Sequence, residues 1–125
     1  MPPYDLATRL RVALDHDDEL ALAGALHRDA SLIVDSGDAA GGERHGRRSV
    51  IRELHSQEAR HPDASWFAVH VNGQAGLALR RPTGEVLGVL GLDGTTVIVS
   101  LWLCTSPLKL AGWNRRRPEA EEPDF

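Results

Sequence analysis

Residues 65–104 read SWFAVHVNGQAGLALRRPTGEVLGVLGLDGTTVIVSLWLC, and three Gly-bearing dipeptides punctuate them: Asn72-Gly73, Thr83-Gly84 and Asp93-Gly94. Asn and Gly suit the two central positions of a type I′ turn, both of which need positive φ. Between these turns the chain is rich in Val, Leu, Ile and aromatic residues. The segment therefore predicts an antiparallel meander of four strands. If all three loops have two residues, register follows by counting outward from each. One face then carries Trp66, Ala68, His70, Ala75, Leu77, Leu79, Gly88, Leu90, Leu92, Val97, Val99 and Leu101. The other carries Phe67, Val69, Val71, Ala78, Leu87, Val89, Ile98 and Trp102, with Gln74, Arg80, Thr96 and Ser100. A half-solvated sheet alternates apolar with polar, and this one does not, so both faces are expected to be covered.

Upstream, the spacing changes from two to the helical period. Leu6, Leu10, Ala13 and Leu14 form one helical stripe, and Asp15–Asp18 interrupt it with capping residues. A second helix, capped by Asp17, carries Leu20, Leu22, Ala23 and Leu26 and ends near His27 or Arg28. ASLIVD, ending at Asp35, reads as a short buried strand. A Gly-rich loop follows from Ser36 to Gly46, with a brief strand at Glu43–His45. A third helix spans Arg47 to about Arg60, buries Val50, Ile51 and Leu54, and stops before Pro62. Helices followed by a meander predict an α+β domain, three N-terminal helices packed on one face of a curved antiparallel sheet. Three helices cover one face, and the other is expected to meet a second copy of the chain or another domain.

Composition narrows the function classes. At 125 residues the chain has length for one domain, assigned to residues 1–113, with the charged, Pro-containing segment 114–125 expected to be disordered. A net charge of −4 argues against direct binding to nucleic acid or an anionic membrane, and Glu119, Glu121, Glu122 and Asp124 offset Arg115–Arg117. No run approaches the roughly 18 apolar residues of a membrane span, and no signal peptide opens the chain, so a cytoplasmic location is expected. Cys104 is the lone cysteine, which excludes an internal disulfide and a cysteine metal cage. The 6 histidines include no His-x-x-x-His pair, so no metal is expected. No phosphate-loop motif is present, and no cofactor is expected.

The order helix, helix, strand, helix, long meander resembles the SnoaL-like branch of the nuclear transport factor 2-like superfamily. The stretch from Val71 to Leu110 further resembles the C-terminal SnoaL-like domain of extracytoplasmic-function sigma factors. There an Asn-Gly turn opens a strand pair and the domain closes on Asn-Pro-Asp-Lys-Leu. Here the closing motif stands as Ser106-Pro107-Leu108-Lys109-Leu110, and the group's Asp-Gly-Gly-Gly-Lys loop corresponds to Asp35-Ser36-Gly37-Asp38. No sigma regions precede the domain, which predicts a free-standing relative of the regulatory domain.

The resemblance implies a cone, a bent sheet wrapped around helices, with a pocket lined by the helix-facing side. It places Trp66, His70, Leu77, Leu90 and Val99 around that pocket and assigns Asn72, Gly73, Pro107, Lys109 and Leu110 to the recurring interaction signature. It also makes Asp35 and His70 the candidate acid–base pair if the protein is an enzyme. Plainer readings stand beside these: Asn72-Gly73 as a turn, Asp35-Ser36 as a turn start, and His70 as a solvated residue. Three functions follow as expectations. The leading one is a non-enzymatic small-ligand-binding or regulatory interaction module, dimeric through one sheet face, that takes an apolar ligand or a protein partner. The second is a SnoaL-like enzyme doing isomerase-, cyclase- or hydrolase-type acid–base chemistry on a hydrophobic small molecule. The third is a ligand-free dimer whose pocket is filled by its own side chains.

Overall fold

The chain is described by a computed structural model over residues 5–115. In order, its elements are α1 (Leu6–Asp15), α2 (Glu19–Ala25), β1 (Leu26–Asp35), β2 (Gly42–His45), α3 (Arg47–Arg60), β3 (Ser65–Val71), β4 (Gln74–Arg80), β5 (Val86–Gly94), β6 (Ile98–Cys104) and α4 (Pro107–Arg115). The expected disordered tail is cut back at its start, because Asn114 and Arg115 belong to α4. Its remainder, from residue 116, lies outside the described residues.

The first two helices start where short acidic side chains accept the free backbone N–H groups of the first turn. Asp5 accepts from Thr8 N at 2.8 Å to open α1, and Asp18, not Asp17, accepts from Ala21 N at 3.1 Å to open α2. Asp17 instead takes a left-handed conformation (φ 52°) in the turn between the helices. The second helix is shorter than expected: Leu26 already has extended backbone, and β1 begins there.

The sheet order is β2-β1-β6-β5-β4-β3. All neighbours are antiparallel except β1 and β6, which run parallel. A parallel pair needs a long crossover, and here the whole segment from β2 to β5 supplies it. The expected wholly antiparallel sheet is corrected on this point, and the helices do not all come first: α3 follows β2, and α4 closes the described chain.

Only one of the three turns has the expected length. Asn72 (φ 53°) and Gly73 (φ 81°) form the two-residue loop between β3 and β4, with Val71 paired to Gln74. The β4–β5 connection spans residues 81–85, closed by Arg81 N donating to Glu85 O at 2.9 Å. The β5–β6 loop is displaced furthest, since Leu92 pairs with Leu101 rather than with Thr95. Thr95, Thr96 and Val97 are residues of high strand propensity that here form the loop. An irregularity at Asp93/Gly94 then exchanges the faces of Ile98 and Val99, while Leu101 and Trp102 keep the faces expected of them. Ile98 is fully buried against the helices, while Val99, expected on the pocket side, is 43% exposed.

The helix side of the sheet packs into one core. Leu10 and Leu14 of α1, Leu22 of α2, Leu32 of β1, Val50 and Leu54 of α3 meet Trp66, Leu77, Leu79, Leu90, Ile98 and Leu103 there. Each fully buried Leu contributes about 1.5–3 kcal/mol. The opposite side carries a smaller cluster, Ala78, Val86, Val89 and Cys104, covered by Leu110 and Trp113 of α4. The second apolar face thus finds part of its cover within the chain. This register predicts that Leu90→Ala lowers unfolding free energy by about 2–5 kcal/mol in chemical denaturation, while Val99→Ala stays within about 0.5 kcal/mol of the parent.

Candidate functional site

The expected pocket residues do not share a cavity. Trp66, Leu77 and Leu90 are packed in the core at 3%, 0% and 0% exposure, and Val99 lies on the outer surface. Where the pocket was expected, their side chains fill the space between sheet and helices. His70 is exposed on β3, the edge strand. Its register partner Ala75 packs toward the main core, so His70 stands on the helix side of the sheet. Asp35 pairs with Cys104, whose side chain belongs to the opposite cluster. Asp35 and His70 therefore sit on opposite faces, four strand spacings apart, on the order of 19 Å along the sheet.

The two motifs at Asp35 and at Ser106–Leu110 do come together. Parallel pairing lays the end of β1 beside the end of β6, and Thr105 N donates to Asp35 O at 2.9 Å. Lys109 reaches back from α4 and donates a direct charge-assisted hydrogen bond to the Asp35 carboxylate. That contact holds the Lys109 ammonium above its usual range. Gly37 (φ 81°) packs so closely on this junction that a β-carbon there would come within 2.9 Å of Ser106 Oγ. In the same loop Ser36 Oγ and Ala40 N both donate to Asp38, at 2.7 and 2.9 Å, and hold its carboxyl below the usual range. Pro107, Lys109 and Leu110 thus share one site with Asp35, whereas Asn72 and Gly73 form a hairpin at the other end of the sheet.

A cavity of about 430 Å³ opens at this junction. Its walls come from the β1–β2 loop (Ser36, Asp38, Ala40), the end of α3 (Gln57, Arg60, His61), the start of β5 (Val86, Leu87) and the β6–α4 segment (Thr105, Pro107, Leu110, Asn114). Asn114 is committed to the wall: its Oδ1 accepts from Val86 N at 2.7 Å and its Nδ2 donates to Val86 O at 3.2 Å. Behind Gln57 runs a buried polar chain. Gln57 Nε2 donates to Glu53 Oε2 at 2.8 Å, and Arg44 of β2 donates through Nε to Glu53 Oε1 at 3.1 Å. A buried carboxylate is tolerable only with such partners.

Glu53 and Gln57 went unrecognised in the sequence, although their spacing carried a signal. Positions 50, 53, 54, 57 and 61 lie along one helical stripe, so polar residues at 53 and 57 fall on the core side with Val50 and Leu54. Further along α3, burial pushes the Glu58 carboxyl up, opposed by the hydrogen bond Trp66 Nε1 donates to it at 2.8 Å. Among the described residues no three His, Cys, Asp or Glu side chains group as metal ligands do. No described helix is long and apolar enough to cross a membrane.

Comparison with solved structures names this architecture. The extracytoplasmic function sigma factor SigJ of Mycobacterium tuberculosis superposes with a TM-score of 0.66 at 20% identity, over 86% of this chain. This is a SnoaL-like, nuclear transport factor 2-like fold. A SnoaL-like protein of Agrobacterium tumefaciens, described as a candidate isomerase, matches at TM-score 0.55 and 11% identity, over 79% of this chain and 92% of its own. IdmH of Streptomyces antibioticus, described as a candidate polyketide cyclase, matches at 0.57 and 17% identity, over 82% and 91%. The chain spans only 43% of the sigma factor's length. No family model and no curated protein matches it.

The Asp35–Lys109 contact ties α4 to the sheet, which sets a test. Lys109→Met should speed exchange of the Leu110 amide, which donates to Ser106 O, in hydrogen-exchange mass spectrometry. Because the folded protein holds Lys109 above its ordinary value of 10.5, the pair's contribution is complete below that pH. It is lost as pH rises through the folded value. The stability gap between parent and Lys109→Met is therefore constant near neutrality and closes in alkaline denaturation series.

Proposed function

We propose that this protein is a non-enzymatic regulatory module that binds a small ligand in the cavity beside α4 and pairs with a second copy through the outer sheet face. The observation that carries the reading is the separation of Asp35 from His70. Acid–base catalysis needs both groups within hydrogen-bond reach of one reacting centre. Here Asp35 is engaged by Lys109 on one face, and His70 is solvated on the other. The likeness to part of a sigma factor supports a regulatory role, and the fold by itself also hosts the candidate isomerase and cyclase.

The pairing surface is the row Ile33–Trp102–Gly91–Gly76–Val69, which crosses the outer face beyond the cover of α4. Ile33 and Trp102 are 48% and 38% exposed, and Gly91 lines a hollow of about 370 Å³ beside them. A projecting indole next to a glycine-floored hollow suits a twofold contact, in which each copy supplies both shapes.

Native mass spectrometry tests both parts. The expected result is a species of twice the chain mass, converted to monomer by Trp102→Glu. His70→Ala should leave dimerisation and any retained non-covalent mass unchanged. A monomeric parent overturns the pairing. Turnover of a small hydrophobic substrate that His70→Ala or Asp35→Asn abolishes overturns the non-enzymatic reading.

A further inference from the structure

Among the described residues, the Gln57 amide lines the cavity beside α4 with its nitrogen held and its oxygen without a partner. Gln57 is 97% buried by its 3% exposure, yet it lines the cavity wall. A carboxylate can only accept hydrogen bonds, so the Glu53 contact commits the Gln57 amide nitrogen and turns its carbonyl oxygen the other way. Arg44 locks Glu53 in turn, which removes the freedom of the amide to flip. Among the described residues no donor reaches Gln57 Oε1, and it is not sealed from the cavity as a wholly occluded atom would be.

The surrounding groups restrict what can meet that oxygen. Asn114 is spent on the backbone of β5, and the Ser36 hydroxyl is spent on Asp38. Val86, Leu87, Pro107 and Leu110 present hydrocarbon. The charged side chains of the lining carry both signs, Arg60 with Asp38 and Glu85, and the Glu53 carboxylate lies one hydrogen bond behind the amide, so a ligand's net charge finds no one-signed partner there. A ligand with an apolar body and a single N–H or O–H group matches the hydrocarbon part of the lining and the Gln57 carbonyl oxygen.

We propose that the cavity takes a small uncharged, largely apolar molecule that donates one hydrogen bond to Gln57 Oε1. This rests on the ligand-binding reading above and adds the chemical class of the ligand. A buried acceptor discriminates strongly, because an analogue lacking the donor leaves it desolvated and unpaired.

Indole and benzofuran form the test pair: they share a shape, and only indole carries an N–H donor. Each is titrated into the full chain while the backbone amides of Gln57, Leu87 and Leu110 and the Gln57 side-chain amide are followed by NMR. Indole should shift these signals with an affinity about five- to tenfold above that of benzofuran. Gln57→Leu should abolish the difference, and Gln57→Met serves the same purpose should the first variant fail to fold. Equal binding of both molecules by the parent at these amides overturns the donor assignment and leaves the cavity a ligand site. An indole preference that survives both variants overturns it as well. If neither molecule moves these signals at millimolar concentration, the ligand-binding reading falls with it.

Discussion

The parallel pairing of β1 with β6 is the constraint on which the rest depends. It joins two strands far apart in the chain across the middle of the sheet. Once it has formed, the end of β1 and the end of β6 lie side by side. The Asp35 loop then meets the segment that begins α4, through the Thr105–Asp35 backbone bond and the Lys109–Asp35 contact. The cavity beside α4 has no existence before this pairing, because its walls come from four separate regions of the chain.

The two faces of the sheet have been put to different uses. On the helix side, large aliphatic residues from α1, α2 and α3 fill the cone, leaving the expected central pocket packed with Leu and Trp. The space left on that side, about 580 Å³, lies beside the start of α1 and is lined by Leu6, Ala75 and Leu92, not by the buried Trp66, Leu77 and Leu90. On the outer side, α4 covers the rows nearest Asp35 and leaves the row through Trp102 and Gly91 open. The polar chemistry is concentrated at the boundary between these regions, where the Arg44–Glu53–Gln57 chain reaches the cavity wall.

Several elements were legible in the residues. The stripe Val50–Leu54 and the stop before Pro62 delimited α3, and Asn72-Gly73 marked its hairpin with the positive φ values that such a turn requires. The resemblance pointed to the same fold that the structural comparison identifies. Other elements were obscured for identifiable reasons. Thr95–Val97 have the composition of a strand and serve as a loop, which exchanged Ile98 and Val99 between the faces. Leu108, Leu110 and Trp113 lie in a segment whose closing motif drew attention from its helical character, so the cover α4 gives the outer face was missed.

Local periodicity, turn chemistry and capping are properties of a few consecutive residues, and they were sufficient to establish the class of each of the three predicted helices and the meander that follows them. Which strands become neighbours depends on hydrogen bonds between residues far apart in the chain, such as those of Asp35 with Thr105 and Lys109. The same holds for the candidate site. Asp35 and His70 look equally available in the sequence, and only the alternation of side chains across a sheet with β1 and β3 four spacings apart places them on opposite faces. Gln57 looks like an ordinary polar helix residue until Arg44, from a strand at the other sheet edge to β3, fixes Glu53 behind it and leaves one carbonyl oxygen facing the cavity.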